Sequence, residues 1–322
     1  MKKIYVVGGQ QKNKVTKDWQ QYNCGVILQI DIDQQELIKR TDYISPPEVS
    51  PDYEPSIVFK AGTVKNKKLY VCTETEILIY SLPNMVQIGY LSLPCFNDVH
   101  HILPTYNDNF LIANTGLDMV MEIDPRGNIL NTWNVLMQPP WERFSPSYDY
   151  RKVPTTKPHH SHPNYVFTIG KDIWATRCLQ KDAICLTKPN LKINIGGDYV
   201  HDGVLRGDTL YFTRVDGHVV TVDVHTLNIK NEYNLNHFSN HSQRIGWCRG
   251  IKVLDDETVI VGFTRIRPSK NPLGNEQLYN QLDTFLPTRI ACYNLVQGKL
   301  LWEHNLEKYN FNAVFSIHME DE

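Results

Sequence analysis

The feature that most restricts the fold is a strand ending that recurs with nearly the same letters. Ala175-Thr176-Arg177, Phe212-Thr213-Arg214 and Phe263-Thr264-Arg265 each close a short β-rich run. A polar or basic residue stands upstream of each such run at a similar distance. His101 lies nine residues before Phe110, His201 nine before Leu210, and Lys60 nine before Leu69. His162 precedes Ile173 by eleven, and Arg249 precedes Val261 by twelve across the turn Asp255-Asp256-Glu257. Self-similarity at roughly 40 to 50 residues marks a repeat architecture built from one supersecondary unit.

Between these marks run Leu69 to Thr73, Ile77 to Tyr80, Val120 to Asp124 and Val219 to Asp223, while helical periodicity is scarce. Many short strands bounded by turn residues, without crossover helices, indicate a sandwich, a barrel or a propeller, and the repeat selects the propeller. About five units are visible, and a sixth is split between the two ends of the sequence. Asn312 to Ile317 parallels Asn164 to Ile169, which opens an earlier unit. Lys3 to Val7 would supply the second strand of that blade, with Gly25 to Ile32 and Leu37 to Asp42 completing it. The expected fold is all-β: a six-bladed β-propeller in which N- and C-terminal strands close one shared blade. Residues 1–322 then form a single domain, and ring closure removes the open edges that invite aggregation.

Composition narrows the partners. With 33 Lys and Arg against 35 Asp and Glu, the net charge is −2, so no bulk positive field attracts nucleic acid. No apolar run approaches the roughly 18 residues of a membrane span. The apolar stretch Ile4 to Val7 is too short for the core of a secretory signal and reads as a strand. Seven scattered cysteines without a CxxC pair suggest reduced, buried thiols, and the expected location is cytoplasmic.

In a four-stranded blade the start of the innermost strand and the end of the next lie at the same end of the disc. That expectation gathers His101, His162, His201, Arg249 and Lys60, with Asn310 or Asn312, around one channel mouth. It adds Arg177, Arg214 and Arg265 from the second strands. His100 and Asp202 are the alternates should the register differ by one. Insertions at about 8–23, 136–161 and 265–288 fall on the same face, and long loops on a rigid scaffold commonly border a site. The second insertion brings Trp141, Phe144, Tyr148 and Tyr150, for substrate stacking or for packing the loop down, and carries His159 and His160.

Two chemistries suit this set. His101, His162 and His201 could hold one divalent ion, Zn²⁺ or Mn²⁺, with a coordination position left open for substrate. Arg249 would then neutralise developing charge. Without a metal, one histidine would serve as nucleophile or general base. Either way the guanidinium forks, Lys60 and Tyr148 suggest an enzyme acting on a small anionic substrate. The alternative is a non-catalytic module that binds a peptide or an anionic metabolite at the same mouth. A histidine before a strand can also serve only to hydrogen-bond a neighbouring blade.

Asp98 to Pro104, Asn109 to Asn114 and Glu122 to Ile129 together resemble the repeat of arylsulfotransferase-type six-bladed propellers. That resemblance implies sulfuryl transfer by channel-mouth histidines and an arginine, one histidine being transiently sulfated. By position it points to His101, His162, His201 and Arg249. The chain is also similar to propeller lyases and amide- or lactone-cleaving enzymes, whose channel histidines hold a metal. GxGxxG, Walker A, GxSxG and HExxH motifs are absent from the sequence.

Overall fold

A computed structural model describes residues 2–14, 16–266 and 284–320. Its strands form six antiparallel four-stranded sheets. The first joins both ends of the chain in the order β24-β1-β2-β3, with β1 Lys3–Gln11, β2 Tyr22–Asp31, β3 Glu36–Tyr43 and β24 Ala313–Met319. The second blade holds β4 Gly62–Lys65, β5 Lys68–Cys72, β6 Ile77–Ser81 and β7 Val86–Leu91. The third holds β8 Val99–Pro104, β9 Phe110–Asn114, β10 Met119–Ile123 and β11 Ile129–Asn134. The fourth holds β12 Pro163–Ile169, β13 Asp172–Arg177, β14 Asp182–Cys185 and β15 Lys192–Asn194. In the fifth are β16 Val200–Arg206, β17 Thr209–Arg214, β18 His218–Asp223 and β19 Ile229–Asn234. The sixth contains β20 Trp247–Val253, β21 Thr258–Thr264, β22 Arg289–Asn294 and β23 Lys299–Asn305. The protein is a six-bladed β-propeller closed by its two terminal segments.

Patterning explains the layering. Every residue of β9 (Phe-Leu-Ile-Ala-Asn) is buried, because both faces of a central strand meet a neighbouring blade. The outermost β19 (Ile-Lys-Asn-Glu-Tyr-Asn) is mostly exposed, and its polar and charged residues blunt a free edge. Hydrophobic clusters bridge adjacent blades rather than filling one. Ile4, Val6 and Leu28 pack with Ile260, Ile290 and Cys292, and Phe167 and Trp174 with Leu210 and Phe212. A single blade therefore cannot bury its own faces, and the ring folds as a unit. The innermost strands touch in the cycle β24, β4, β8, β12, β16, β20 and back to β24.

A buried carboxylate knits the first blade to the second. Glu76, fully buried, accepts hydrogen bonds from Tyr43 Oη at 2.6 Å, Thr73 Oγ1 at 2.9 Å, Tyr90 Oη at 3.1 Å and Ser45 Oγ. No motif marked it, because the donors come from separate strands and loops. All seven cysteines are buried and unpaired, and among the described residues no helix is long and apolar enough to cross a membrane. The first insertion is shorter than expected. β1 continues to Gln11 and β2 begins at Tyr22, which leaves 12–21 as the loop. Of the third insertion, 267–283 lies outside the described residues.

Buried imidazoles set the acid sensitivity of this fold. Burial pushes His318 down to about 3 and His304 to about 4 from an ordinary 6.5. Above pH 6.5 both are neutral in either state. Below it the unfolded chain takes up protons that the native one refuses, so stability falls with pH until the native values are reached. Two such groups remove at most about 2.7 kcal/mol per pH unit. Asp202, whose carboxyl burial raises to about 6, and Glu74, raised to about 8, oppose this by at most one proton each, while His100, His101, His162 and His201, also held low by burial, add to it. The urea midpoint should therefore drop steadily between pH 6.5 and 5, and a flat profile there would contradict these burials.

Candidate functional site

The channel mouth is shaped by a repeated irregularity in the inner strands. In β8, Val99 faces Asn114 and His101 faces Ala113, so His100 is the extra residue of a β-bulge. The same slip occurs at Asn164 in β12, at Asp202 and Gly203 in β16, at Arg249 and Gly250 in β20, and at Phe315 in β24. A bulge re-aims a side chain that regular pairing would send elsewhere. Five inner strands thus present an out-of-register residue at the same end of the disc.

The bulge brings His100, the alternate, and not His101 against His162. His101 is fully buried between three blades, with Nε2 at 3.2 Å from the Gly62 carbonyl and Nδ1 accepting from the Val166 N–H at 3.2 Å. Its ring stacks on Tyr165 at 3.6 Å between centroids. Both nitrogens are committed, and burial pushes its pKa down to about 3. His101 is a neutral structural joint.

His100 meets His162 edge-on at 4.8 Å between ring centroids. One ligand atom each from Asp98, His100 and His162 lies within 4.8 Å of the others, and this group could hold a metal ion. Local backbone fixes each member. Asp98 precedes β8 with φ +52°, and His162 precedes β12 with φ +62°, a left-handed conformation that non-glycine residues seldom adopt. At His162 it is held by Asp118, fully buried, whose Oδ1 accepts the N–H of Ser161 at 3.0 Å and of His162 at 2.8 Å. Oδ2 of the same carboxylate takes the His160 N–H and Arg143 Nη1, both at 2.8 Å. His100 Nδ1 donates to the Asp98 carbonyl at 2.8 Å, since that oxygen can only accept, and its Nε2 keeps a lone pair.

The electrostatics favour neutral imidazoles beside an ionised aspartate. Burial holds His100, His162 and His201 well below 6.5, with Lys60, His100 and Arg249 respectively adding to it. Burial works against ionising Asp98, but the Lys60 ammonium beside it holds its carboxyl well below the usual range. Lys60 Nζ contacts Asp98 Oδ1 and also Glu74 Oε2 at 3.0 Å. Burial would lower the Lys60 pKa, and these two carboxylates offset it, leaving it raised. Burial, with the charge of Asp98 adding to it, pushes Glu74 up to about 8.

The second insertion contributes to the group. His159 is buried, with Nδ1 at 2.7 Å from His162 Nδ1 and Nε2 at 4.0 Å from Asp98 Oδ2. His160 is exposed. His201 stands beside the group, with Nε2 at 3.5 Å from Asn164 Nδ2, and is not among the three converging ligand atoms. Arg249 is 7 % exposed, donates from Nε to the Val314 carbonyl at 3.0 Å and lies over the Phe315 ring at 3.7 Å.

The strand-end arginines are engaged elsewhere. Arg177 forms a two-pronged pair with Asp182 at 2.8 and 2.7 Å, Arg214 binds Glu232 at 2.8 Å and Asp216 at 3.1 Å, and Arg265 reaches Glu307 at 3.0 Å. Asp202 accepts from Thr213 and from Gly250 N–H at 2.9 Å, tying two blades together. Asn312 accepts from Gln11 N–H at 3.0 Å, and Asn310 ends a short turn with φ +53°. Tyr148 packs edge-on against Tyr150 at 5.1 Å and is half exposed. Two surface hollows of about 450 and 380 Å³ are lined by residues 142–150 and by 238–241 with 299–300, and no histidine of the converging group lines either.

No protein-family model and no curated protein sequence matches the chain. Solved structures resemble it in fold. A protein of unknown function from Bacteroides caccae aligns over 100 % of both chains with TM-score 0.62 and 11 % identity. A chain of a nidogen/laminin complex aligns over 98 % of both with TM-score 0.57 and 8 % identity. The Cps50 (Swd1) β-propeller domain of Myceliophteria thermophila covers 93 % of this chain and 89 % of its own, with TM-score 0.51 and 11 % identity. At these identities the likeness establishes the propeller and nothing about chemistry.

Proposed function

We propose that the protein is a metal-dependent lyase or hydrolase that takes a small anionic substrate at the channel mouth. Asp98, His100 and His162 would hold one Zn²⁺ or Mn²⁺ ion. The observation that carries this reading is the convergence of three ligand atoms within 4.8 Å in a group whose imidazoles are held neutral. Two imidazoles and a carboxylate are a donor set found in catalytic zinc sites and tolerated by manganese. Bound there, the ion would supply Lewis-acid polarisation of a substrate oxygen or activation of water.

The chain's own residues would do the rest. Arg249 is a buried guanidinium with no carboxylate within 4 Å among the described residues, unlike Arg177, Arg214 and Arg289, which are all paired. It would hold the anionic part of the substrate, with the Phe315 ring keeping the guanidinium plane fixed. Lys60 and Glu74 would hold Asp98 in place. Histidine-mediated group transfer, implied by the arylsulfotransferase resemblance, would have to proceed through His100, His162 or His201, since both nitrogens of His101 are engaged.

The test is turnover of a panel of small carboxylate-bearing lactones, amides and sulfate esters before and after chelation. Activity on at least one substrate should vanish in metal-stripped protein and return with Zn²⁺ or Mn²⁺. Turnover indifferent to chelation would refute the metal-dependent reading in favour of group transfer.

A further inference from the structure

The hydrogen-bond order behind His162 fixes more than its position. We propose that Thr156 and His159, both from the inserted segment, are positioning residues that set the tautomer of His162, with its proton on Nδ1 and a bare Nε2. The inference deepens the metal reading by explaining how His162 becomes a ligand, but the tautomer itself exists without an ion.

The argument starts at the far end of the chain of contacts. Asn97 Nδ2 donates to the carbonyls of Tyr150 and Val153, each at 2.9 Å, so Asn97 Oδ1 is an acceptor. Thr156 Oγ1 has one proton, and its shortest contact, 2.5 Å to the Gly116 carbonyl, is to an oxygen that can only accept and therefore takes it, with Asn97 Oδ1 a second such acceptor at 3.3 Å. With its proton directed at that carbonyl, Thr156 can only accept from its third neighbour, His159 Nε2 at 3.3 Å. His159 therefore carries its proton on Nε2 and, as a neutral ring, has a lone pair on Nδ1. Burial lowers its pKa and supports the neutral form. That lone pair faces His162 Nδ1 at 2.7 Å, so His162 must be the donor there. A neutral His162 with Nδ1–H has its free lone pair on Nε2.

The outcome matches His100, whose Nδ1–H is taken by the Asp98 carbonyl. Both imidazoles of the group are thereby set to the same tautomer through outer contacts, as ligating histidines commonly are. Asp118 holds the backbone of residues 160–162 at the same time, so the loop carrying the relay and the ligand it orients are fixed by one carboxylate.

Nitrogen-15 correlation spectra of the metal-free protein near pH 7.5 read the tautomer directly. Wild type should show His162 protonated at Nδ1, and Thr156→Val should turn it into a mixture or the opposite tautomer. Thr156→Ser, which keeps the hydroxyl, should restore the wild-type pattern. His159→Phe keeps a ring but removes the acceptor, and should free the tautomer even if Thr156→Val folds poorly. In Zn²⁺ titrations Thr156→Val should bind about 10- to 100-fold more weakly, with Thr156→Ser close to wild type. A wild-type His162 protonated at Nε2, or a tautomer unchanged in both Thr156→Val and His159→Phe, overturns the relay. A wild type with the Nδ1–H tautomer that binds no Zn²⁺ upholds the relay and refutes the metal reading instead.

Discussion

A chain ending at Asn312, and so lacking β24, should lose its cooperative unfolding transition. β24 is the innermost strand of the first blade, pairs with β1 from Ile4 to Gly9 and packs on both β20 and β4. Val314, Phe315 and Ile317 are buried within it. Burying three such side chains contributes about 5 to 9 kcal/mol, against a total stability of about 5 to 15 for an ordinary domain. The cut also bares an inner edge of β1 and unseats the blades on either side. The expected product is aggregated or only partly folded, shown by a broad melt and dye binding to exposed apolar surface. A sharp transition within a few degrees of the full-length protein would mean that the ring is not what holds the fold together.

The second large effect separates two adjacent histidines. His100→Ala should weaken Zn²⁺ or Mn²⁺ binding about a thousandfold, taking a total of about 12 kcal/mol shared among three ligands. His101→Gln should bind the ion like wild type while losing about 1 to 3 kcal/mol of stability, because the Gly62 carbonyl and the Val166 N–H lose their buried partner. The pair is informative because burial and sequence neighbourhood are almost shared. Equal loss of ion affinity in both variants would show that the bulge does not select His100.

Much of this architecture was legible in the residues alone. The repeated Thr-Arg strand ends and the likeness of Asn312–Ile317 to Asn164–Ile169 were enough to assign six blades and the joined termini, which β24 pairing with β1 bears out. The site was legible only in outline. A bulge adds one residue without any letter that marks it, so spacing counted from Phe110 picks out His101 while the backbone turns His100 into the group. Asp98 escaped notice because its role comes from a left-handed backbone and from Lys60 one blade away. His159 comes from a loop whose path no periodicity describes. The strand-end arginines could have been read better. Asp182 follows Arg177 by five residues and Asp216 follows Arg214 by two, within reach across or just beyond a tight turn. Arg249 lies in an inner strand, with Asp255 and Asp256 beyond that strand's far end, and it is the one of these whose guanidinium is left without a carboxylate among the described residues.

Anomalous scattering from a crystal grown with Zn²⁺ or Mn²⁺ addresses the central claim most directly. The account predicts one strong peak per chain, about 2.0 to 2.2 Å from a carboxylate oxygen of Asp98 and from Nε2 of both His100 and His162. A mouth without a peak at saturating ion, or a peak held by His101 or by surface carboxylates alone, would contradict it.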